Sequence, residues 1–201
     1  AVLSKLIDKQ ILCQEQRSIS RLRQYSGDRR PAHALDEQQA RALHEIHEQW
    51  KEKNITLLHG VTSSGKTEVY IHLIKEALQN GQQVLYLVPE IALTTQLTER
   101  LQAVFGDQVL VYHSRFSNDE RVEIYHQVAE SSYQRSKNGE SKLILGVRSA
   151  IFLPFSNLGL VIGDEEHEPS YKQQDPAPRY HARSAAIMLS QWHGAKVLLG
   201  T

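Results

Sequence analysis

A short segment near residue 60 has the residue types that bind phosphate groups. Residues 60–67 fit the pattern G-x-x-x-x-G-K-[ST], with an apolar run before the segment and an amphipathic stretch after it. Glycines allow the backbone to wrap closely around a polyphosphate and to direct N–H groups at it from the start of a helix. Lys66 provides a positive charge for the β- and γ-phosphates, and the hydroxyl of Thr67 is suited to Mg²⁺. The pattern predicts a nucleotide site formed by Gly60, Val61, Thr62, Ser63, Ser64, Gly65, Lys66 and Thr67.

A second group of chemically active residues follows the apolar run 158–163. Asp164, Glu165, Glu166 and His167 come about 100 residues after the phosphate-binding pattern. Because the carboxyl ends of strands in an open parallel sheet face the ligand crevice, the acids are expected to reach the phosphates. Asp164 is placed to hold Mg²⁺, directly or through water, and Glu165 to orient and deprotonate an attacking water molecule.

These two groups narrow the class of nucleotide-binding protein. A phosphate-binding loop alone is compatible with a kinase, a GTPase, a transporter ATPase or a motor. A small-molecule kinase needs neither a second acid nor a histidine after Asp164, and no arginine-bearing lid stands out near the loop. The combination disfavours such a kinase and makes Lys66, Asp164 and Glu165 the candidate catalytic residues.

The rest of the chain alternates apolar runs with helical patterns. Strands are predicted at 55–58, 84–88, 108–112, 142–146, 158–164 and 195–199. Helices are predicted at about 36–50 with Asp36 as N-cap, 68–78, 118–130 and 183–192, with another that ends near 105. Continuous apolar runs are typical of strands buried in a parallel sheet. The order predicts an α/β fold with three layers and a doubly wound, mostly parallel sheet.

Residues 1–30 differ from the rest of the chain. Apolar residues within 3–12 have helical spacing, and the polar run 15–30 contains five arginines. A cationic segment can meet phosphates, but a solvated linker is the favoured interpretation. Gly27 and Pro31 indicate a boundary, so the chain divides into a short appendage and a nucleotide-binding unit at 31–201.

The amino-acid composition limits which partners and which cellular location can be predicted. Of 201 residues 40% are hydrophobic, and 23 basic and 23 acidic side chains leave no net charge. Neutrality removes the usual electrostatic indication of a nucleic-acid partner, so such a partner must be argued from motifs. A single cysteine and the lack of a signal-like or membrane-length apolar run predict a cytoplasmic protein without a membrane partner. The spacing of cysteine and histidine predicts no zinc site in this chain.

Three motifs together resemble the first motor lobe of superfamily 2 helicases of the DEAH/DEEH kind. They are the phosphate-binding segment 60–67, the acids and histidine at 164–167, and LVPEIALT at 87–94. Segments typical of a narrower group, the primosomal replication-restart helicases, stand at 146–152 (GVRSAIF), 154–159 (PFSNLG), 170–174 (SYKQQ) and 179–183 (RYHAR). The resemblance covers about residues 35–201. It implies a RecA-like lobe that stops at the third helicase motif, with residues 1–30 as the end of a preceding winged-helix domain and a linker.

The resemblance implies an ATP-dependent 3′-to-5′ DNA helicase that acts at stalled replication forks, with this lobe binding ATP and Mg²⁺. Its expected partners are forked and single-stranded DNA, other primosome proteins and single-strand-binding protein. Zinc belongs only to a part of the family that lies C-terminal to this sequence. Gln38 corresponds to a residue that senses adenine, and His167 to one that couples the nucleotide state to motion.

The resemblance also places a set of residues along the DNA path. These are Glu90, Ser114, Arg148, Ser149, Tyr171, Lys172, Arg179, Tyr180 and Arg183. Tyrosine rings and arginine planes stack on unpaired bases without reading sequence, which suits the aromatic and basic cluster at 171–183. Two departures weaken the expected contacts: Val147 stands where many members have threonine, and residues 175–178 lack a tryptophan common in that loop.

Two other interpretations remain open. The chain can belong to another superfamily 2 motor that acts on RNA or in branch migration, although the segments 170–174 and 179–183 argue against it. Alternatively, the lobe is a nucleotide-binding interaction platform without turnover. Because the arginine that completes hydrolysis lies in the second lobe of such motors, this lobe alone is expected to bind Mg²⁺–nucleotide weakly and to hydrolyse it poorly.

Overall fold

A six-stranded parallel sheet forms the centre of the protein. The computed structural model describes residues 6–7, 9–11, 13, 20, 22, 25–60, 65–131 and 141–201. The strands of the sheet are β1 (Ile55–Leu58), β2 (Gln83–Leu87), β3 (Val109–Tyr112), β4 (Leu143–Gly146), β5 (Leu158–Gly163) and β8 (Lys196–Gly200). Their spatial order is β1-β8-β5-β2-β4-β3, and each neighbouring pair is parallel. Two short strands, β6 (Lys172–Gln173) and β7 (Tyr180–His181), form a separate antiparallel pair.

Helices connect the strands and cover the sheet. They are α1 (Glu37–Glu52), α2 (Lys66–Gln79), α3 (Thr95–Phe105), α4 (Asn118–Glu130) and α5 (Ala182–His193), with 3₁₀ turns at Glu90–Ala92, Gly106–Gln108, Arg148–Phe152 and Pro169–Tyr171. The N-cap predicted at Asp36 is confirmed, because its carboxylate accepts from the N–H of Gln39 and the side chain of Gln39 accepts from the N–H of Asp36. Within the described residues no helix has both the length and the hydropathy to cross a membrane.

Side-chain alternation along the buried strands produces two apolar layers. In β2, Val84 and Tyr86 belong to a core shared with α1, α2 and α3. Leu85 and Leu87 belong to a second core shared with α4 and α5. All four side chains are at most 1% exposed, so this strand is buried on both faces, as its continuous apolar run predicts. The structure therefore confirms the predicted three-layer, doubly wound arrangement.

The predicted strands and helices all occur, and most of their ends shift by one or two residues. The start of β2 moves to Gln83, a fully buried residue. Its Nε2 donates to the carbonyl of Val128 at 2.7 Å and to the hydroxyl of Ser131 at 2.8 Å. Its Oε1 accepts from the N–H groups of Ser156 and Asn157 at 2.8 and 2.9 Å. These four hydrogen bonds explain how an amide side chain lies inside an apolar core.

The polar segment before α1 donates hydrogen bonds from its main chain to α3 and to the turn that follows it. The N–H of Tyr25 donates to Oδ1 of Asp107 at 3.0 Å, and the N–H of Arg30 donates to the carbonyl of Ala103 at 2.7 Å. These two bonds attach the described part of the segment to the lobe, while residues 26–30 remain exposed to solvent, so the linker assignment stays a prediction. Most of residues 1–24 lie outside the described residues, so the winged-helix assignment of 1–30 stays a prediction.

Candidate nucleotide site and nucleic-acid face

Three strands end at one edge of the sheet and bring the predicted chemical groups together. β1 leads into the phosphate-binding segment, β5 into Asp164, and β8 into Thr201. Main-chain hydrogen bonds fix these ends: the N–H of Gly60 donates to the carbonyl of Thr201 at 3.0 Å, and the N–H of Glu166 donates to the carbonyl of Gly200 at 2.8 Å. The carboxyl ends of the strands thus form the candidate site, as in other open parallel sheets.

Gly65 precedes α2 in a left-handed conformation that favours glycine. Its φ is +76°, and a Cβ atom at this position would lie 2.2 Å from Nε2 of Gln39. That amide nitrogen donates to the carbonyl of Gly65 at 3.4 Å. Thr67 is half-buried in the first turn of α2. Residues 61–64 lie outside the described residues, so their phosphate contacts stay predictions.

The ammonium group of Lys66 is held between the main chain and one acid. Its Nζ donates to the carbonyls of Gly60 at 2.8 Å and Thr201 at 2.9 Å. It lies 3.5 Å from Oε1 of Glu165, and only 10% of the lysine side chain is exposed. The structure therefore brings the lysine of the phosphate-binding segment to the acid motif 99 positions further along the chain.

The carboxylate of Asp164 accepts hydrogen bonds from two tyrosine hydroxyl groups. Tyr70 in α2 donates to Oδ1 at 3.1 Å, and Tyr86 in β2 donates to Oδ2 at 3.2 Å. Burial raises the pKa of the Asp164 carboxyl, while the hydrogen bond from Tyr70 and the charge of Lys66 act in the opposite direction. Burial, reinforced by the charge of Asp164, also raises the pKa values of Tyr70 and Tyr86. Both phenols therefore remain hydrogen-bond donors.

Glu165 adopts a backbone conformation that is unusual for a residue with a side chain. Its φ is +46°, in the left-handed region that costs about 1–2 kcal/mol. Its Oε2 lies 3.8 Å from Nε2 of His167, and Nδ1 of that histidine lies 3.0 Å from the hydroxyl of Thr201. Strained conformations held by surrounding contacts concentrate at functional sites. A continuous series of contacts thus runs from Lys66 through Glu165 and His167 to the end of β8.

Tyr171 does not belong to the exposed nucleic-acid face predicted from the sequence. Its side chain is 1% exposed, and its hydroxyl, which has one proton to share, lies 2.6 Å from the carbonyl oxygen of Asp164 and 3.0 Å from that of Leu87. A ring buried in this way cannot stack on a base, so the prediction of direct DNA contact is wrong for Tyr171 in this structure. The residue instead connects the segment that leads into β6 with the main chain of the acid motif.

An aromatic pair lies beside the β6–β7 pair. The ring of Tyr180, which is half-buried, meets Phe152 edge-on, with centroids 5.0 Å apart and 77° between the planes. Phe152 is 61% exposed, and Lys172 and Arg179 are exposed as well. Aromatic rings among cationic side chains suit unpaired bases. Phe152 is therefore a candidate contact that the motifs alone did not identify.

Two arginines predicted to contact DNA also bind the protein itself. Nη1 of Arg148 donates to the carbonyl of Ser170 at 3.2 Å, and Arg183 forms an ion pair with Glu166. Both arginines remain partly exposed. Arg183 thereby joins the start of α5 directly to the acid motif, and Arg148 joins the 3₁₀ turn after β4 to the segment before β6.

The other predicted DNA contacts lie on the loops after β2, β3 and β4. Glu90 and Ser114 are exposed, and Ser149 is half-buried. Burial lowers the pKa of His113 in the loop after β3, and the positive charge of Arg115 acts in the same direction. The ring of His113 also stacks on Phe116 at a centroid distance of 4.1 Å. The DNA roles of Glu90, Ser114 and Ser149 stay predictions.

Several residues of the site differ from those that the motifs indicate. Gln38 is exposed in the first turn of α1, and its adenine contact stays a prediction, whereas its neighbour Gln39 contacts the phosphate-binding segment. Gln39 stands three residues after the N-cap Asp36, a capping-box spacing that could have identified it. No local pattern marks Tyr70 or Tyr86, because their shared partner depends on the order of the strands.

Comparison with known proteins identifies the family. The family model described as DEAD/DEAH box helicase matches residues 36–195. This chain therefore belongs to the DEAD/DEAH box helicase family. It is also similar to the replication restart protein PriA of several bacteria: 45% identical over 150 residues for Bacillus subtilis, 47% over 148 residues for Haemophilus influenzae and 42% over 168 residues for Helicobacter pylori strain J99.

These similarities cover most of this chain and a small part of each relative. They extend over 75%, 74% and 84% of the chain, and over 18%, 19% and 25% of the three relatives. The chain thus spans a quarter or less of the length of these curated relatives. The resemblance to primosomal replication-restart helicases, which the motifs predict, is confirmed.

Solved structures with low sequence identity have the same fold. The ATP-dependent Type ISP restriction-modification enzyme LlaBIII bound to DNA matches with a TM-score of 0.58 at 18% identity, over 86% of this chain and 13% of that chain. T4 UvsW matches with a TM-score of 0.55 at 20% identity, over 98% of this chain and 39% of that chain. Together with the parallel sheet, these likenesses confirm the predicted RecA-like α/β fold.

The left-handed backbone at Glu165 predicts that this residue costs stability. Asparagine tolerates that conformation better than glutamate. Because Glu165→Asn also removes the charge beside Lys66, the matched control is Glu165→Gln, which removes the same charge but keeps a side chain of the same length. Glu165→Asn is expected to have a free energy of unfolding about 1 kcal/mol higher than Glu165→Gln, measured by urea denaturation. Equal stabilities of the two variants would contradict strain at this site.

Proposed function

We propose that the protein to which this lobe belongs is an ATP-dependent DNA helicase that acts at stalled replication forks in replication restart and moves 3′ to 5′. One observation carries the proposal: Lys66, Asp164 and Glu165 meet at a sheet edge that Tyr171 connects to the β6–β7 pair, in a chain of the DEAD/DEAH box helicase family. Similarity to the replication restart protein PriA supports the role in replication restart.

The groups at this edge fit a magnesium nucleotide. Carboxylate and hydroxyl oxygens are the ligands that Mg²⁺ prefers, and Asp164 and Thr67 supply them. The start of α2 and the ammonium group of Lys66 suit the phosphates, and Gln38 is proposed to contact adenine. When bound, Mg²⁺ neutralises charge that develops on the phosphates. The proposed substrate of this site is therefore ATP.

The proposed hydrolysis uses the chain's own residues in distinct roles. Glu165 accepts the proton of the attacking water. Lys66 exchanges its present carbonyl partners, at 2.8 and 2.9 Å, for phosphate oxygens. His167 lies between Glu165 and Thr201, so a change at the base reaches the end of β8. This position supports the proposal that His167 couples the nucleotide state to motion.

Nucleic acid is proposed to act on this chemistry through the segment 171–183. Arg183 pairs with Glu166, and Tyr171 bonds to the main chain of Asp164. Both contacts connect the proposed DNA-binding segment with the residues on either side of Glu165. A single strand that moves this segment would therefore shift the base relative to Lys66.

Forked and single-stranded DNA are the proposed nucleic-acid partners. Phe152 and Tyr180 would stack on unpaired bases, while Lys172 and Arg179 would contact phosphates. Other primosome proteins and single-strand-binding protein are the proposed protein partners, and the cytoplasm is the proposed location.

ATP hydrolysis by the full-length protein tests this function. We expect forked DNA to stimulate hydrolysis strongly and single-stranded RNA to do so weakly. Glu165→Gln is expected to reduce the stimulated rate by about 10²–10⁴-fold, because it removes the base. Glu168→Gln, three residues away, is the control and should retain the rate. The isolated lobe should hydrolyse ATP about 10³–10⁵-fold more slowly than the full-length protein, since the arginine that completes hydrolysis is proposed, by resemblance, to lie in a second motor lobe.

Each alternative function gives a different result, either in this hydrolysis assay or in an assay of partner binding. Equal stimulation by RNA would favour an RNA motor. Hydrolysis that does not respond to any nucleic acid would support the proposed nucleotide site and contradict the proposed helicase function. Binding of partner proteins that persists in Lys66→Ala without nucleotide would favour an interaction platform.

The aromatic pair predicts a separate effect on DNA. Tyr180→Ala and Phe152→Ala should each weaken single-strand binding by the full-length protein about 5- to 100-fold, because each removes one stacking surface. DNA-stimulated hydrolysis should fall, while nucleotide affinity stays near the wild-type value. Tyr125→Ala is the matched control, because Tyr125 is 50% exposed on α4. Fluorescence anisotropy with labelled single strands measures the affinity, and an equal loss in the control would contradict the assignment.

A further inference from the structure

Two fully buried tyrosines from different elements converge on one carboxylate. Tyr70 of α2 and Tyr86 of β2 are both 0% exposed, and their rings meet edge-on with centroids 5.7 Å apart. One hydroxyl donates to Oδ1 of Asp164 at 3.1 Å, and the other donates to Oδ2 at 3.2 Å. The carboxylate is therefore bonded on both of its oxygens by side chains of the protein core.

Gly200 makes this convergence possible. A Cβ atom on Gly200 would lie 1.9 Å from the hydroxyl oxygen of Tyr70 and 3.1 Å from Oδ1 of Asp164. The absence of a side chain at the end of β8 thus leaves the space that the Tyr70 hydroxyl occupies. Tyr70 lies in α2, Asp164 directly follows β5 and Gly200 ends β8, so these three residues belong to elements that meet at the candidate site.

The two tyrosines fix the orientation of the Asp164 carboxylate and leave it able to bind a further ligand. An aspartate at the end of a strand can rotate about its side-chain torsions, which broadens the positions of its oxygens. Two hydroxyl donors, one on each oxygen, restrict the carboxylate to one plane. Oδ1 also accepts from the N–H of Glu165 at 3.2 Å. Each carboxylate oxygen has two lone pairs, so Oδ2, whose one donor among the described residues is Tyr86, retains one for a further ligand. Buried tyrosines need a hydrogen-bond partner. A main-chain carbonyl would be enough for that purpose, as it is for Tyr171, so the use of a carboxylate needs another explanation.

We propose that Tyr70 and Tyr86 are positioning residues that orient Asp164 toward the Mg²⁺ of the bound nucleotide, with Gly200 as the residue that admits Tyr70. This inference rests on the proposed function, because it assigns the tyrosines to the magnesium side of the nucleotide site. Outer residues that orient a metal ligand typically change metal affinity about 10–100-fold when they are removed.

The experiment measures the affinity of the full-length protein for a fluorescent ADP analogue, in EDTA and across a Mg²⁺ titration. In Tyr70→Phe, Tyr86→Phe and the double variant, affinity in EDTA should stay within about twofold of wild type. The Mg²⁺ concentration that gives half of the affinity gain should rise, by about 10–100-fold in the double variant. Tyr112→Phe is the control, because it removes a half-buried phenol hydroxyl elsewhere in the lobe.

Gly200→Ala provides an independent test of the same contact. The added methyl group should displace the Tyr70 hydroxyl and raise the Mg²⁺ requirement as Tyr70→Phe does. In the Tyr70→Phe background the same substitution should add little, because the displaced hydroxyl is already absent. Additive effects of the two substitutions would overturn the role of Gly200.

The outcomes separate the inference from the function on which it rests. A wild-type protein whose nucleotide affinity does not respond to Mg²⁺ would overturn the proposed function and the tyrosine roles with it. A wild-type response that persists unchanged in the double variant would overturn the tyrosine roles alone. Equal loss of affinity with and without Mg²⁺ would indicate a structural role and would also overturn them. If Tyr86→Phe does not fold, Tyr70→Phe and Gly200→Ala decide the question.

Discussion

The carboxylate of Asp164 lies at the end of a buried strand, where burial raises its pKa and favours its neutral form. The surrounding groups oppose that effect: Tyr70 and Tyr86 donate to its two oxygens, and the positive charge of Lys66 lies nearby. Gly200 leaves room for one of these donors. Four separate parts of the chain therefore have to be assembled correctly before this acid can take its proposed role as a cation ligand.

The same residue joins the nucleotide site to the proposed nucleic-acid face. Its carbonyl accepts the hydroxyl of Tyr171, whose second partner is the last residue of β2. Arg183, at the start of α5, binds Glu166 two residues further on. Because both contacts flank the strained backbone of Glu165, a displacement of the segment 171–183 is expected to move this proposed base. This continuity gives a physical basis for coupling between DNA and hydrolysis in the proposed motor.

The layers of the fold could be predicted because they depend on local patterns: apolar runs for buried strands, helical spacing, and an N-cap at Asp36. The phosphate-binding segment and the acid motif are short and specific, so their residues could also be predicted. The convergence on Asp164 could not, because it requires β5 to lie beside β2 and β8 in a definite register. The prediction that Tyr171 contacts DNA is wrong for a related reason. An aromatic residue in a polar segment indicates exposure, whereas the turn Pro169–Tyr171 directs its ring into the core.

Hydrogen exchange of the full-length protein tests the central claim that Asp164 connects the two faces. Adding Mg²⁺ and ADP without DNA should change the protection of amides at 60–67, at 164–166 and also across 168–183. In Tyr171→Phe, which lacks the connecting hydroxyl, the change across 168–183 should be lost while that at 60–67 remains. A wild-type response confined to 60–67 and 164–166, or an unchanged response of 168–183 in the variant, would contradict the connection.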